Sequence, residues 1–234
     1  MIKDGKILAI VPARGGSKRL PRKNILEIAG KPLISYTLEA ALESKYIDQV
    51  LVSSDSNEIL DKVSKYESIV AHKRPSHLAT DVSSSIDCVI NVLEQYPDVD
   101  YVAFLQPTSP LRTHSHIDEA IELLEKKNAL SVISVCECEH SPLWCNTLDS
   151  SNLMETFIRK EAVGLRSQDL EPYYRLNGAI YITSKSCLIE QKSFFLDEHT
   201  YAYRMTREAS VDIDNNVDFM FAKFLIESSQ SLKV

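Results

Sequence analysis

Short β-branched runs alternate with longer amphipathic stretches through the first half of the chain, the pattern of repeated βαβ units. Ile7 to Val11 is apolar throughout, as in a strand covered on both faces. Pro32 to Ser44 predicts a helix, with proline early where its missing N–H costs nothing. Val50 to Ser53 predicts a strand that ends at Ser54 and Asp55, and Ser56 to Lys65 predicts a helix. Ser83 to Tyr96 carries Ile86, Val89, Ile90 and Leu93 at helical spacing. A strand at Tyr101 to Leu105, a helix at Ile117 to Lys126 and a strand at Leu130 to Val135 continue the alternation. The period fails from Glu139 to Leu176, then returns with a strand at Gly178 to Thr183 and a closing helix at Val217 to Ile226. The prediction is a Rossmann-like α/β core with a mostly parallel sheet and helices on both faces. Residues 1–138 and 177–234 form this core, and residues 139–176 form a small inserted lobe.

Composition narrows the chemistry. At 234 residues and 44% hydrophobic, the chain is long and apolar enough for one large core. A net charge of -7 argues against a broad basic face for DNA or RNA, so no nucleic-acid partner is expected. Any polyanionic ligand must then meet a local concentration of cations. Arg14, Lys18, Arg19, Arg22 and Lys23 supply one within ten residues. The five cysteines lack CxxC spacing, the residues from Met1 to Lys6 are polar, and no apolar run nears the roughly 20 residues that span a bilayer. These features predict a cytoplasmic protein with free thiols and no membrane association.

Those cations lie in the segment from Pro12 to Asn24, directly after the first predicted strand, where open α/β sheets bind their ligands. Gly15 and Gly16 allow close backbone approach, and successive N–H groups in such a turn form an anion receptor. A solvated basic turn is the plainer reading, but such turns rarely combine Gly-Gly, Ser and two spaced prolines after a buried strand. Neither a Walker A loop nor a Gly-x-Gly-x-x-Gly fingerprint is present.

Near the other end, Asp212 and Asp214 alternate with Val211 and Ile213, so in extended chain both carboxylates project to one side. Two carboxylates beside a triphosphate require a cation between them, and Mg²⁺ takes few carboxylates and completes its shell with water and phosphate oxygens. An EF-hand fails here, because the sixth position from Asp212 is Val217 and the twelfth is Lys223. Asn215 or Asn216 can also cap the closing helix, with Asp218 in its first turn.

Taken together, the Pro12–Asn24 segment and the Asp-x-Asp pair resemble the signatures of sugar nucleotidyltransferases, most closely the CMP-N-acylneuraminate synthetases for sialic and legionaminic acids. Arg74-Pro75 with Leu78, Ala79, Asp81, Ser83 and Ser84 resembles the family segment bordering the nucleotide. Leu105-Gln106-Pro107-Thr108-Ser109-Pro110-Leu111-Arg112 and Asn177-Gly178-Ala179-Ile180-Tyr181 extend the resemblance over nearly the whole chain. Arg19 departs from it, since many sialic acid synthetases have glycine there; the departure bears on the sugar and not on the reaction.

The resemblance implies CMP transfer from CTP to a nine-carbon sugar acid, with Mg²⁺ on Asp212 and Asp214. It implies that Arg14, Ser17, Asn24, Arg74 and Ser84 contact the nucleotide, and that Arg14, Lys18, Lys23 and Asp214 serve catalysis. Gln106, Arg166, Tyr181, Phe194 and Phe195 would meet the sugar acid, although an ordinary Arg166–Asp169 surface pair and a core role for the phenylalanines are serious competitors. The lobe would join two subunits of a homodimer. A synthetase for the eight-carbon acid 3-deoxy-manno-octulosonate and a non-catalytic nucleotide-sugar binder are the rival readings.

Overall fold

The computed structural model describes residues 5–231. Met1 to Asp4 and Leu232 to Val234 lie outside the described residues, and with them part of the polar N-terminal stretch and both ends of the expected core.

The chain runs β1 (Ile7–Pro12), a hairpin of β2 (Glu27–Ile28) and β3 (Lys31–Pro32), α1 (Leu33–Leu42), β4 (Gln49–Ser54), α2 (Asn57–Val63), β5 (Ile69–Lys73), α3 (Ser85–Leu93) and β6 (Tyr101–Phe104). It continues with α4 (His114–Lys127), β7 (Ser131–Glu137), β8 (Tyr174–Ser184), α5 (Lys185–Gln191), β9 (Thr200–Met205) and α6 (Asn216–Ser231). The main sheet has seven strands in the order β5-β4-β1-β6-β8-β7-β9. Strands β4, β1 and β6 are mutually parallel, as are β5 with β4 and β9 with β7; β8 is antiparallel to both its neighbours.

Alternation along β1 explains why the sheet needs helices on both faces. Ile7, Ala9 and Val11 join one core with residues of α1, α2 and α4, such as Leu38, Val63 and Ile121. Leu8 and Ile10 join a second core with Val89 and Val92 of α3 and Leu188 of α5. A third cluster packs Ile28 and Leu33 against Ile213 and the α6 residues Ala222 and Ile226, which fixes the aspartate segment beside the hairpin. Because β1, β4, β5 and β6 are parallel, their carboxyl ends open on one edge, and the candidate segments that follow them converge there.

The structure corrects the sequence reading in several places. Strands β5 and β9 and helix α5 were not anticipated. Strand β8 begins at Tyr174, inside the stretch expected to be irregular, because Tyr174 to Leu176 pair with Val135 to Glu137. Before it, residues from Pro142 to Asp169 contain only three-residue 3₁₀ turns.

Candidate active site

A cleft of about 320 Å³ opens at that edge. Arg14, Ser17, Lys23 and Asn24 line it from the loop after β1, Arg74, Asp81 and Ser84 from the segment between β5 and α3, and Gln106 and Thr108 from the end of β6. Seven of the predicted site residues therefore meet in one cavity. Lys18, Arg166 and Phe195 stand outside its lining, as do the two aspartates, Tyr181 and Phe194 described below. Lys18 is exposed at the cleft mouth, and its ammonium lies 2.5 Å from Asp81. Arg166 is exposed in the lobe and donates from Nε to Asp169 at 3.0 Å. Phe195 is also exposed.

Local chemistry explains how the first loop is held. Gly15 N–H donates to the Asp55 carboxylate at 2.9 Å, and a Cβ on Gly15 would come within 2.9 Å of the Ser56 Cβ. The need for glycine is therefore steric. Neither Gly15 nor Gly16 has a positive φ; the left-handed residue of the loop is Arg22, at φ 58°. Asn24 is buried and donates to the Arg14 carbonyl at 3.0 Å, closing the loop on itself. Arg74 is 7% exposed and bound to Ser53, through Nε to its hydroxyl at 3.1 Å and Nη2 to its carbonyl at 2.7 Å. Ser84 caps α3 by accepting from Ile86 N–H at 3.1 Å, which aims that helix start at the cleft.

Asp81 went unassigned in the sequence, and it sits at the centre of the electrostatics of the cation-rich loop. Its carboxylate accepts from Arg14 at 2.9 Å and lies 2.5 Å from Lys18. The Lys18 ammonium, followed by Arg14, holds its carboxyl below the usual range against the opposing effect of partial burial. Arg22 similarly pairs with Glu58. No local spacing signals these pairs, because their partners lie dozens of residues away.

The aspartates lie beside this cleft and are tied to it through Lys23 and Thr108, while Asp212 itself lines a neighbouring pocket with Ser210 and Arg207. Lys23 Nζ donates to the Ile213 carbonyl at 2.5 Å and lies 3.6 Å from Asp214, while Arg19 donates to Asp214 at 2.9 Å. Ile213 N–H donates to the Thr108 carbonyl at 2.9 Å, tying the segment to the β6 loop. Asp212 is half-buried, and its Oδ1 has no hydrogen-bond partner. Burial pushes the Asp212 carboxyl up; the Thr108 hydroxyl and Lys23 oppose the shift, and Asp214 and Asp218 add to it. An orphaned carboxylate oxygen beside a second carboxylate fits a hard divalent cation. Among the described residues no three His, Cys, Asp or Glu side chains converge on a metal position. Any ion here relies on the two aspartates plus water and phosphate oxygens. Asp218 also accepts from the Asp214 and Asn215 N–H groups at 2.9 and 3.0 Å, so helix capping coexists with this arrangement.

The aromatic residues form a wall and not a free platform. Phe104, Tyr181 and Phe194 pack with ring centroids 5.2–6.1 Å apart, and Phe194 is buried. Burial, with a smaller contribution from the nearby Asp212 charge, pushes the Tyr181 phenol up. Arg112, also overlooked as a site residue, is 1% exposed. It donates to Thr37 Oγ1 at 2.7 Å, Ala179 O at 3.2 Å and Gln106 O at 3.3 Å, and burial pushes its guanidinium down to about 9.

Comparison with known proteins agrees with this geometry. Residues 8–225 match the family model described as cytidylyltransferase. The chain is 38% identical to the CMP-N,N'-diacetyllegionaminic acid synthase of Legionella pneumophila, over 98% of this chain and 100% of that one. It is 37% identical to the pseudaminic acid cytidylyltransferase of Campylobacter jejuni, over 94% and 96% of the two chains. It is 40% identical to the N-acylneuraminate cytidylyltransferase of Streptococcus agalactiae, over 92% of this chain but only 52% of that longer protein. A CMP:2-keto-3-deoxy-manno-octonic acid synthetase structure shares the fold, with a TM-score of 0.72 at 17% identity over 96% of this chain and 99% of that one. A site built on the cation-rich loop and the aspartate pair, within a match spanning most of the sequence, places this chain in the cytidylyltransferase family.

Proposed function

We propose that the chain transfers CMP from CTP to the anomeric hydroxyl of a nine-carbon N-acylneuraminate-type acid, releasing pyrophosphate. One observation carries the reading: Lys23, which lines the cleft, bonds the Ile213 carbonyl and so joins the cation-rich loop to the segment that carries the paired aspartates. Relatives at 37–40% identity bear the names of legionaminate, neuraminate and pseudaminate enzymes. That agreement favours a nine-carbon acceptor over an eight-carbon one.

In this reading the acceptor oxygen bonds to the α-phosphorus as the bond to the bridging oxygen of pyrophosphate breaks. Arg14 and Lys18 exchange Asp81 for the triphosphate and neutralise charge that grows on the leaving group. Lys23 braces the aspartate segment and faces the same phosphates. Gln106 presents its amide to the sugar acid from a loop stiffened by Pro107 and Pro110. Asp212 and Asp214 would hold Mg²⁺, which would supply charge neutralisation at the phosphates and help to activate the acceptor hydroxyl.

We also propose a homodimer working in the cytoplasm. Leu148, Leu153, Met154 and Val163 of the lobe and Val217, Met220, Phe221 and Phe224 of α6 are exposed, a surface suited to a second copy. Arg166 would then act from the lobe, across the subunit boundary. All five cysteines are free, as a reducing compartment requires, and among the described residues no helix is long and apolar enough to cross a membrane.

Pyrophosphate release tests the reaction, measured with each nucleoside triphosphate, a panel of sugar acids, and magnesium before and after chelation. Release with CTP and a nine-carbon acid, lost on chelation, is the expected result. Equal release with other nucleotides, or release indifferent to chelation, contradicts it.

A further inference from the structure

A wide bulge interrupts the pairing of β7 with β8. Ile133 faces Tyr181 and Val135 faces Leu176, so Ser134 alone stands opposite the four residues from Asn177 to Ile180. The Ser134 hydroxyl repairs the gap: it accepts from Ile180 N–H at 2.8 Å and donates to Asn177 Oδ1 at 2.6 Å. Asn177 Oδ1 also accepts from Ala179 N–H at 3.2 Å. On its other side, Asn177 Nδ2 donates to Ser210 Oγ at 2.9 Å, and Ser210 Oγ donates to the Thr206 carbonyl at 2.6 Å. Ser134, Asn177 and Ser210 are each at most 2% exposed.

This buried chain ends two residues before Asp212. The aspartate is thus flanked by two anchors, Ser210 held by Asn177 and Ile213 held by the Thr108 carbonyl. Between them the backbone is extended, supported by these bonds, by Lys23 on the Ile213 carbonyl and by the packing of Val211 and Ile213. The position needs a side chain that accepts on one side and donates on the other while staying neutral in a dry interior. Asparagine meets that demand; aspartate lacks the donor, and an aliphatic residue lacks both.

We infer that Asn177 is a positioning residue for the Asp212 carboxylate, acting through Ser210, and so sets how tightly the aspartate pair holds its divalent ion. The inference rests on the proposed metal role of Asp212. Outer residues that orient metal ligands change affinity or activity by about 10- to 100-fold when removed.

The test uses Mn²⁺ as the probe, titrated by its free-ion EPR signal against the full chain with a non-hydrolysable CTP analogue, and corrected for binding to the analogue alone. Wild type, Asn177→Ala, Ser210→Ala, Ser134→Ala and Asp212→Asn are compared, with kcat and the KM for CTP measured alongside. Ser210→Ala removes only a hydroxyl, so it carries the test should Asn177→Ala fold poorly. Ser134→Ala breaks the same chain on the far side of Asn177 and reports general damage to the bulge. The expected result is Mn²⁺ binding weakened about 10-fold or more in Asn177→Ala and Ser210→Ala. Their kcat falls in parallel, KM for CTP stays within a few-fold, and Ser134→Ala binds nearly as wild type. Wild-type Mn²⁺ affinity in Ser210→Ala, or equal loss in all three bulge variants, overturns the inference while leaving the metal site intact. Undiminished binding by Asp212→Asn instead overturns the metal reading itself.

Discussion

The amide oxygen of Gln106 rests against the backbone of Gly178, where a Cβ would come within 2.9 Å of it. Gly178 has a φ of 74°, so the position demands glycine for conformation as well as for space. The β7–β8 bulge thereby sets the direction of Gln106, the residue proposed to meet the sugar acid. Gly178→Ala is expected to raise the KM for the acid about tenfold, equivalent to about 1.4 kcal/mol of lost binding, with KM for CTP little changed. Steady-state kinetics with each substrate varied in turn checks this; equal damage to both constants would show that the pair does not serve the acceptor.

Asp81 pairs with Arg14 and Lys18, the two cations proposed to meet the triphosphate. Its ion pairs are exposed, so each is weak and readily exchanged for a ligand. Asp81→Asn removes that competitor. The KM for CTP should fall several-fold at low ionic strength, and the advantage should shrink as salt screens the site. A rise in the KM for CTP would mean that Asp81 organises Arg14 and Lys18 for the nucleotide instead of competing with it.

Asp212 places a carboxylate oxygen in a buried position without a hydrogen bond, a cost the fold bears when no cation is present. Asp212→Asn should therefore stabilise the metal-free protein while abolishing turnover. A gain of about 2–4 °C in melting temperature is expected, the span about 1 kcal/mol produces in a chain of this size. Thermal unfolding in chelator measures it, and a lower melting temperature would show the carboxylate to be structurally satisfied.

Arg112 is a buried cation whose bonds go to a hydroxyl and carbonyls, with its Nη1 unpartnered. Arg112→Met fills the space but strands the Ala179 carbonyl and leaves Thr37 Oγ1 and the Gln106 carbonyl with only long bonds of 3.4 Å. A loss of about 2–4 kcal/mol is expected from groups left unsatisfied, together with a raised KM for the acid because the Gln106 loop loosens. Denaturant unfolding and the same kinetics report both effects. Unchanged stability would contradict this account of the Gln-Pro-Thr-Ser-Pro-Leu-Arg motif.

The alternation of apolar runs made β1, β4, β6 and their helices legible, because those strands are covered on both faces and read as continuous hydrophobic segments. It did not reveal β5, whose polar His72 and Lys73 lie at a sheet edge, or β9, whose exposed Tyr201 and Arg204 break the apolar run. Local motifs marked the cation-rich loop and the aspartates. The contacts that organise them were hidden: Lys23 with Ile213, Arg14 with Asp81 and Asn177 with Ser210 each join segments far apart in sequence. Arg74 and Asn24 lie at the cleft as expected, but both also brace backbone, a role that residue type and spacing do not disclose.

The most direct measurement is transfer of the α-phosphate. CTP labelled at that phosphorus is incubated with the protein, magnesium and matched acids of eight and nine carbons, and the products are separated. The account predicts that the label moves to a nine-carbon acid as its CMP conjugate, with unlabelled pyrophosphate released in equal amount. Label that stays in CTP with every nine-carbon acid, or moves only to the eight-carbon acid, would contradict it.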